Sequence, residues 1–584
     1  MKSLATKLII SLLGVLSVLG VSGFSSALDR EAFSITNYDL NLQIDPAQHR
    51  LGVRGKITLR NDSSDPQKVG VLQISSSLDW RSIKVDGKPV QYLTQPFASD
   101  IDHTGGLSEA IVTLSQPVPP HRTVDLEIGY EGVIVLDATR LTRIGTPEDA
   151  AKSSDWDQIS PDGSAIRGVG YVAWYPIATD VANLSEGDSL FEVLNRWKTR
   201  ESGSLLKINL EDPRATGDST APIPVCNGKL ARGIAQEGAS SFAWAQCSYA
   251  DLGHSVPSLA LAHYGIVNRP SMTVFNLPSH AAAAEAYADA AEKAAPLIND
   301  WFGSFRDKAQ TVDLIDDDSA PFETASLLFT PLANSSSNRA GLSAAHQLTH
   351  AAFYSPRPWI EEGLAHFAQA LLLEQWNGRE SAIDYMAKHR SVLNTIEESE
   401  SEPGSPEQAK EEANRALVST SNEALYRSKS MCVWWMLRDM IGPAALKKAI
   451  AAYRPDQDKE PSYMPRLIAA QTQRDLEWFF DDWVYRDHGL PDFKVESAFA
   501  RKTLNKTFIL TVTIDNLGRA GAEVPVIVKF ARGETKKRLE VHAKDKATFR
   551  LETPAAPDEI LVNDGSVPER DTDNNTFKVP PPES

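Results

Sequence analysis

Two histidines with the spacing of a metal site stand near the middle of this 584-residue chain. His346 and His350 are four residues apart, and on an α-helix that spacing places both rings on one face, about one turn apart. The small and apolar residues around them favour such a helix. Glu361 and Glu362 follow at the predicted start of the next helix, just before Gly363. A turn between the two helices brings one carboxylate back onto the histidine pair.

Two imidazoles and one carboxylate are the ligand set of a catalytic zinc ion. Such a set leaves one coordination position free for water, and zinc lowers the pKa of that water to about 7. Because His346, His350 and one of the two carboxylates, Glu361 or Glu362, can supply this set, the sequence predicts a single Zn²⁺ ion bound to the chain. The alternative is a helical structural domain without metal, since histidines at this spacing also occur for packing reasons.

The segment resembles the metal site of the aminopeptidase N type of zinc metallopeptidase, a gluzincin of the membrane alanyl aminopeptidase family. That signature is His-Glu-x-x-His followed by a glutamate at an Asn-Glu-Gly-like helix start, so His346, His350 and Glu362 take the ligand positions. Trp359 keeps the family's place three residues before the glutamate, although the connection after the second histidine is shorter than in the family. The resemblance implies a thermolysin-like, mainly α catalytic domain and a peptide substrate.

The residue after the first histidine makes this a degenerate motif, because Gln347 stands where the family has the glutamate that activates water. An amide cannot accept the proton that this general base takes, although it can hydrogen-bond the water. Loss of a general base costs about 100-fold to 10,000-fold in rate. Glu361 is an alternative base, but as the neighbour of Glu362 it points about 100° away around the helix.

Two further residues are candidates for the site. Glu323 lies where the family has its Gly-x-Met-Glu-Asn strand, and by resemblance it would bind the free amino group of a substrate. The alternative is an ordinary surface carboxylate on a strand. His366 stands one helical turn after Glu362, which predicts that it orients a ligating histidine. A proton shuttle and a packing role are its alternatives.

A last catalytic candidate follows from a segment 60 residues further along the chain. Residues 425–429 resemble the family's Tyr-x-Lys-Gly helix, whose tyrosine donates a hydrogen bond to the tetrahedral intermediate. Tyr426 is the candidate for this oxyanion-stabilising role. The register is open, because Arg427 takes the tyrosine's place if Lys429 is aligned with the family's lysine.

Hydropathy patterns divide the chain into a signal segment and three domains. Alternation of apolar and polar residues predicts an N-terminal antiparallel β domain over residues 28–255, and a C-terminal β-sandwich over residues 491–584. Between them, helical spacing predicts a mainly helical, metallopeptidase-like domain over residues 256–490. Its main helices are expected at residues 341–353, 359–376, 382–398, 429–441, 444–453 and 474–485. The acidic stretch 397–412 is expected to be a solvated loop.

The first 27 residues have the pattern of a secretory signal peptide. Two lysines precede an apolar run, and small residues follow up to Ala27, which predicts cleavage near that point. A single membrane anchor is the alternative, although the run is shorter than the roughly 20 residues that a span needs. No later stretch is long and apolar enough to cross a bilayer. The mature protein is therefore expected in the periplasm or outside the cell.

Composition limits the partners and the disulfide chemistry. The net charge of −18 argues against nucleic acid as a partner. The chain has three cysteines, too few for a disulfide framework. Cys226 and Cys247 flank a short β segment and either pair or remain free, whereas Cys432 in an apolar run is expected to be a buried thiol.

The sequence thus supports two main hypotheses. The first is an exported zinc metallopeptidase-like protein with aminopeptidase-type hydrolysis at a His-His-Glu site, weakened or altered by Gln347. The alternative is a catalytically inactive pseudopeptidase that binds peptides or acts as a scaffold.

Overall fold

The structure is a computed structural model that describes most of the chain after the predicted signal segment. The described residues are 28–186, 189–211, 221–237, 240–250, 252–306, 308–333, 337–398, 416–420 and 422–581. The predicted signal peptide 1–27 and most of the predicted loop 397–412 lie outside them. Within them the chain has a β-rich N-terminal region, a helical middle region and C-terminal β sheets, as the sequence predicts. The exact domain bounds stay predictions.

The N-terminal region is built around an eight-stranded sheet. Its strands, in spatial order, are Lys229–Glu237, Ser240–Tyr249, Leu205–Glu211, Phe33–Asp45, Arg50–Asn61, Thr123–Val133, Leu78–Val85 and Lys88–Pro89. Alternation along Phe33–Asp45 buries Tyr38, Leu40 and Leu42 and leaves the residues between them exposed, because successive side chains point to opposite faces. A tight turn joins Leu78–Val85 to Lys88–Pro89, with Asp86 and Gly87 both at positive φ.

This region departs from the predicted antiparallel domain in one pairing. Phe33–Asp45 runs parallel to Leu205–Glu211, with Tyr38 opposite Leu206. A parallel neighbour needs a long crossover, and here most of the N-terminal region separates the two strands. Two smaller, three-stranded sheets complete the region. The first contains Gln67–Ser75, Gly106–Val118 and Gln91–Ala98. The second contains Ile223–Cys226, Leu259–Ala262 and Ser164–Ile166. Its helices are Thr139–Arg143, Glu148–Ser154 and Ser189–Arg200.

The cysteines resolve the alternative left open by the sequence. Cys226 and Cys247 form a disulfide, which joins the strand Ile223–Cys226 to Ser240–Tyr249, the second strand of the large sheet. Cys432 is a free, buried thiol, as predicted. The disulfide therefore joins two sheets of the N-terminal region.

The middle region combines a five-stranded sheet with packed helices. The strands, in spatial order, are Gly265–Asn268, Met272–Asn276, Ala309–Asp313, Leu327–Thr330 and Phe322–Thr324. The helices are Ala281–Phe302, Ser337–Ala352, Pro358–Asn377, Arg379–Glu398, Ser430–Ile441, Pro443–Ala452, Tyr463–Ala469 and Glu477–Phe480, with π-helical turns at Leu425–Lys429 and Asp481–Tyr485. The short strand Phe322–Thr324 closes one edge of the sheet.

Two of these helices carry the predicted ligands and are named after them. The histidine helix, Ser337–Ala352, packs small side chains such as Ala344 and Ala345 against the helix Ala281–Phe302. The glutamate helix, Pro358–Asn377, approaches the helix Ser430–Ile441 closely at Gly363, where a Cβ atom would lie 2.6 Å from Ser430 Cβ. Gly363 therefore permits the close packing that fixes the start of the glutamate helix.

The C-terminal region consists of two antiparallel sheets. One contains Phe493–Lys502, Phe508–Asn516 and Lys546–Thr553, and the other contains Gly533–Val541, Ala522–Phe530, Pro557–Val562 and Thr576–Lys578. Their buried residues continue the hydrophobic core of the helical region. Among the described residues, no helix has both the length and the hydropathy to span a bilayer.

Candidate metal centre

The histidine helix and the glutamate helix place the predicted ligands side by side. The histidine helix ends at Ala352, and the glutamate helix begins six residues later with Pro358 at its first turn. This short connection turns the chain back, so that Glu361 and Glu362 reach the face of the histidine helix that carries His346 and His350. The expected turn between two helices is therefore present.

The distances between the donor atoms fit a shared ion. His346 Nε2 and His350 Nε2 are 3.2 Å apart. Glu362 Oε2 lies 3.8 Å from His346 Nε2, and Glu362 Oε1 lies 3.6 Å from His350 Nε2. Ligands at the usual zinc bond lengths in a tetrahedral site lie about 3.3 Å apart. Small side-chain movements would therefore bring these donors onto one cation.

Glu323 lies within the same group of donors. It is carried by the edge strand Phe322–Thr324, and its Oε2 atom is 3.1 Å from His346 Nε2 and 3.9 Å from His350 Nε2. Its ligand oxygen and the two histidine nitrogens all lie within 4.8 Å of one another. The predicted role in binding a substrate amino group stays a prediction.

Glu361 has a partner that the sequence analysis did not assign. Its Oε1 atom is 3.6 Å from His350 Nδ1, the ring nitrogen that does not face His346. A carboxylate against the outer nitrogen of a ligating histidine fixes the orientation of that ring. Burial alone would lower the pKa of His350, but Glu323, Glu361 and Glu362 together raise it to about 10. The carboxylates thus hold a positive charge at the site.

Arg427 is the contact of Glu362 that sequence reasoning missed. Its Nε atom donates a hydrogen bond of 3.0 Å to Glu362 Oε2, from the π-helical turn Leu425–Lys429. Burial opposes ionisation of Glu362, but His350, His346 and Arg427 hold its pKa at about 2. The sequence signal for this residue was the alignment that puts Arg427 in the position of the family's tyrosine. Spacing along the chain could not predict its contact with a residue 65 positions away.

Tyr426, the predicted oxyanion stabiliser, is half-buried and packs against the core of the helical region. Burial and the nearby charge of Glu423 raise the pKa of its hydroxyl above the ordinary value. Its catalytic role stays a prediction, and its neighbour Arg427 is the residue of this turn that contacts a predicted ligand.

Gln347 is fully buried, and its amide is bound inside the fold. Its Nε2 atom donates to the backbone oxygens of Gln310, at 2.5 Å, and Ser326, at 3.3 Å. Its Oε1 atom accepts from Thr311 Oγ1 at 2.9 Å and from Tyr287 OH at 3.5 Å. From sequence alone, such an amide can hydrogen-bond water at the metal. The structure instead uses both ends of the amide to hold the histidine helix against the sheet.

His366 lies beside His346, with ring centres 4.8 Å apart. Both of its ring nitrogens are buried and have no hydrogen-bond partner among the described residues, and the same holds for His346 Nδ1. Burial, followed by repulsion from His346, lowers the pKa of His366 well below its ordinary value. The neutral ring is close enough to join His346 and Glu362 in a second group of possible ligands. Its predicted orienting role stays a prediction.

The N-terminal region supports the strand that carries Glu323. The ring of Phe322 lies 5.0 Å from the ring of Tyr171, and the guanidinium of Arg167 sits 3.7 Å from the centre of the Tyr171 ring. Trp156 Nε1 donates a hydrogen bond of 2.9 Å to the backbone oxygen of Ala320. The site therefore lies where the β-rich N-terminal region meets the helical region.

Zinc is a chemically suitable ion for this centre. Imidazole nitrogens and carboxylate oxygens are its usual ligands besides thiolates, and the donor separations here are 3.1 to 3.9 Å. The buried Glu323 Oε1 atom also has no hydrogen-bond partner in the part of the chain that is described, although a carboxylate there needs one. A cation bound by Glu323 Oε2 and the histidine nitrogens would offset the negative charge of this carboxylate.

Comparison with known proteins gives matches among solved structures at low identity. A crystal structure of an M1 zinc metallopeptidase from Deinococcus radiodurans has a TM-score of 0.47 and 14% identity, and the match covers 78% of this chain and 94% of that chain. A point mutant of that protein gives 0.46 and 15%, and the mutant bound to a Tyr-Ser-Ala substrate gives 0.45 and 15%, with the same coverage. No family model and no curated protein matches the chain.

Proposed function

We propose that the protein is an exported zinc metallopeptidase-like protein of the aminopeptidase type, with a thermolysin-like catalytic domain. The observation that carries this proposal is the convergence of His346, His350 and Glu362, whose donor atoms are separated by 3.2 to 3.8 Å. The signal-like segment at residues 1–27 supports export to the periplasm or the exterior. The substrate class is a peptide.

The residues around the ligands have separate tasks in this proposal. Zn²⁺ held there would polarise a peptide carbonyl and lower the pKa of a bound water. Glu361 orients His350 from its outer nitrogen, and Arg427 donates a hydrogen bond to Glu362 Oε2. The carboxylate of Glu323 offers a negative charge to the amino group of a peptide. Tyr426 is retained as the hydroxyl donor to a developing oxyanion.

One observation favours a second function, a pseudopeptidase that binds peptides without hydrolysing them. The amide of Gln347 is bound to the sheet and cannot act as a general base. Hydrolysis without this base is expected to be slower by about 100-fold to 10,000-fold. The metal site and the peptide site are the same in both functions. They differ only in whether the bond is cut.

Two measurements on the mature chain, residues 28–584, separate these functions. Elemental analysis measures zinc per chain, and aminoacyl-coumarin substrates measure hydrolysis with and without a chelator. Bound zinc with chelator-sensitive turnover supports the peptidase. Bound zinc without turnover, together with binding of an unhydrolysed peptide, supports the pseudopeptidase. A chain that binds no zinc at any loading would contradict the peptidase, and peptide binding would then separate a metal-free pseudopeptidase from a structural helical domain.

A further inference from the structure

Glu323 lies at the distance of a neighbouring metal ligand from His346, a distance that also fits an ion pair between the two side chains. Its Oε2 atom is as close to His346 Nε2, at 3.1 Å, as the two histidine nitrogens are to each other, at 3.2 Å. These separations are near the value of about 3.3 Å between neighbouring ligands of a tetrahedral zinc ion. A carboxylate that only binds a substrate further out in the cleft does not need to lie at this distance.

The backbone on both sides of Glu323 is held in place. Thr324 Oγ1 accepts hydrogen bonds from the backbone nitrogen of Val256, at 3.0 Å, and from Asn227 Nδ2, at 3.2 Å. On the other side, Phe322 packs against Tyr171 of the N-terminal region. The strand also pairs with its neighbour, with Glu323 opposite Leu328. The position of Glu323 is therefore built by three parts of the fold.

The described part of the fold provides no hydrogen-bond donor for the second carboxylate oxygen of Glu323. Glu323 Oε1 is buried and has no hydrogen-bond partner among the described residues. A buried carboxylate oxygen without a partner is costly, so such groups are found where a ligand or an ion completes them. The neighbouring carboxylates differ in this respect, because Glu361 is next to His350 Nδ1 and Glu362 is bound by Arg427.

We propose that Glu323 is itself a ligand of the metal ion, so that His346, His350, Glu362 and Glu323 close the centre at rest. The inference depends on the zinc site proposed above. A zinc site with four protein ligands has the character of a structural site, whereas catalytic sites keep one position open. An incoming ligand must then displace the Glu323 carboxylate before it can reach the ion. The amino-binding role expected from sequence would require the same displacement.

This inference predicts that small metal-binding molecules are excluded from the wild-type centre. Co²⁺ can replace zinc as a probe, since its visible absorption reports the number and type of its ligands. The probe ligand is acetohydroxamate, which binds through two oxygens. Titration of the Co²⁺-loaded wild-type chain should leave the spectrum unchanged. In Glu323→Ala the spectrum should change and saturate, with a Kd at least about tenfold below the highest acetohydroxamate concentration tested on wild type.

Glu361→Ala is the matched control, because Glu361 is the neighbouring carboxylate that contacts His350 without facing the other donors. It should weaken Co²⁺ binding by about 10-fold to 100-fold, as loss of an outer partner does, and leave acetohydroxamate excluded. Glu323→Gln keeps the size of the side chain and gives a second variant if the alanine variant folds poorly. It should admit acetohydroxamate because an amide oxygen is a weaker ligand than a carboxylate.

Three results would overturn the inference. The first is a wild-type chain that binds acetohydroxamate as tightly as Glu323→Ala. The second is a Glu323→Ala chain that holds Co²⁺ but gives no spectral change with acetohydroxamate. The third is equal admission of acetohydroxamate in Glu361→Ala. Failure of the zinc site itself is distinguishable, because the wild-type chain would then show no bound Co²⁺ or zinc in elemental analysis before any acetohydroxamate is added.

Discussion

Two charged clusters, one at the candidate metal centre and one between the helical region and the C-terminal sheets, balance their charges in different ways. At the metal centre, Glu323, Glu361 and Glu362 surround His346 and His350. In the arginine network, Asp439 is bound by three arginines, and the network extends to further carboxylates. Its pairs are Arg379–Asp439 at 2.6 Å, Arg438–Asp439 at 3.1 Å, Arg538–Asp439 at 3.2 Å, Arg538–Glu523 at 2.6 Å and Arg474–Glu523 at 2.5 Å.

The difference between the clusters lies in the source of positive charge. Burial would raise the pKa of Asp439, yet Arg379 and the other arginines lower it below its ordinary value. The positive charges of the arginine network are permanent, because they belong to arginine side chains of the protein. At the metal centre, Glu362 is balanced by histidines and Arg427, and the three carboxylates raise the pKa of His350 to about 10. A cation from solution can replace the proton there. The arginine network therefore carries its own counter-charges, whereas the candidate metal centre has the donors and the negative charge that the proposed ion requires.

The largest expected effect concerns the side of the histidine helix that faces away from the metal. Gln347→Glu would place a carboxylate against the backbone oxygens of Gln310 and Ser326, where the amide now donates. A buried charge without a partner is expected to lower the free energy of unfolding by about 3 to 5 kcal/mol. Restoring the family's glutamate should therefore destabilise the protein rather than create a fast peptidase. Urea denaturation and the coumarin assay measure both effects.

Gln347→Met is the control for this change. It keeps a similar volume without a charge, so the expected loss is about 1 to 3 kcal/mol, from hydrogen-bonding groups left without partners. A Gln347→Glu variant that is as stable as wild type and cleaves peptides faster would show that residue 347 faces the metal. The division of the histidine helix into a metal face and a sheet face would then be wrong.

The next prediction concerns removal of the metal ion, which should lower stability through the metal centre and leave the arginine network unchanged. A ligand that binds only the folded state stabilises it by about 3 kcal/mol at a free concentration of roughly 100 times its Kd. Chelation should therefore lower the free energy of unfolding of wild type by about this amount. In Glu362→Gln the loss on chelation should be much smaller, because the zinc-binding stabilisation is already weakened. An equal loss in the two proteins would place the zinc elsewhere.

The parts of the site that the sequence could predict are those within one or two neighbouring helices. The spacing of His346 and His350 and the position of Glu362 near a predicted helix start led to a group of donors that the structure brings together. Local spacing could not assign the partners of Gln347, because they lie on strands whose order in the sheet is set by the whole region. The contact of Arg427 with Glu362 likewise depends on how a distant π-helical turn packs.

The same contrast holds for the fold. Alternation of apolar residues predicted the strands of the N-terminal region, since one face of each strand is buried. It could not predict that Phe33–Asp45 pairs in parallel with Leu205–Glu211, because strand order depends on contacts between segments far apart in the chain. Glu323 was recognised from a resemblance to a family strand. Its distance from His346 follows from the N-terminal residues that hold that strand.

A smaller effect is expected from the arginine network. Asp439→Asn keeps the shape of the side chain and removes the charge shared by Arg379, Arg438 and Arg538. Hydrogen bonds to charged groups contribute about 1.5 to 3 kcal/mol, so a loss near 2 kcal/mol is expected. The loss should be the same with and without zinc, as measured by thermal or urea unfolding. A loss that depends on zinc would couple the two clusters.

The smallest effect tests a buried carboxylate whose partners are neutral. Glu569 is fully buried in the C-terminal region, where Asn563 Nδ2 and Asn575 Nδ2 donate to its Oε1 atom and the backbone nitrogen of Phe493 donates to its Oε2 atom. Burial raises its pKa from 4.5 to about 7, whereas the arginines lower that of Asp439. Hydrogen bonds from neutral amides therefore do not keep the pKa of this buried carboxylate low, as the arginines do at Asp439.

The sign of the resulting pH dependence follows from the raised pKa. Between pH 4.5 and about 7 the folded state binds more protons at Glu569 than the unfolded state does. The stabilisation is complete below the unfolded pKa and is lost as the pH rises through the folded one, a decrease of about 1 to 2 kcal/mol between pH 5.5 and 7. Glu569→Gln should remove this part of the slope in urea unfolding, whereas Glu552→Gln, at an exposed position of the same region, should keep it. An unchanged slope in Glu569→Gln would mean that this carboxyl is ionised in the folded protein despite its burial.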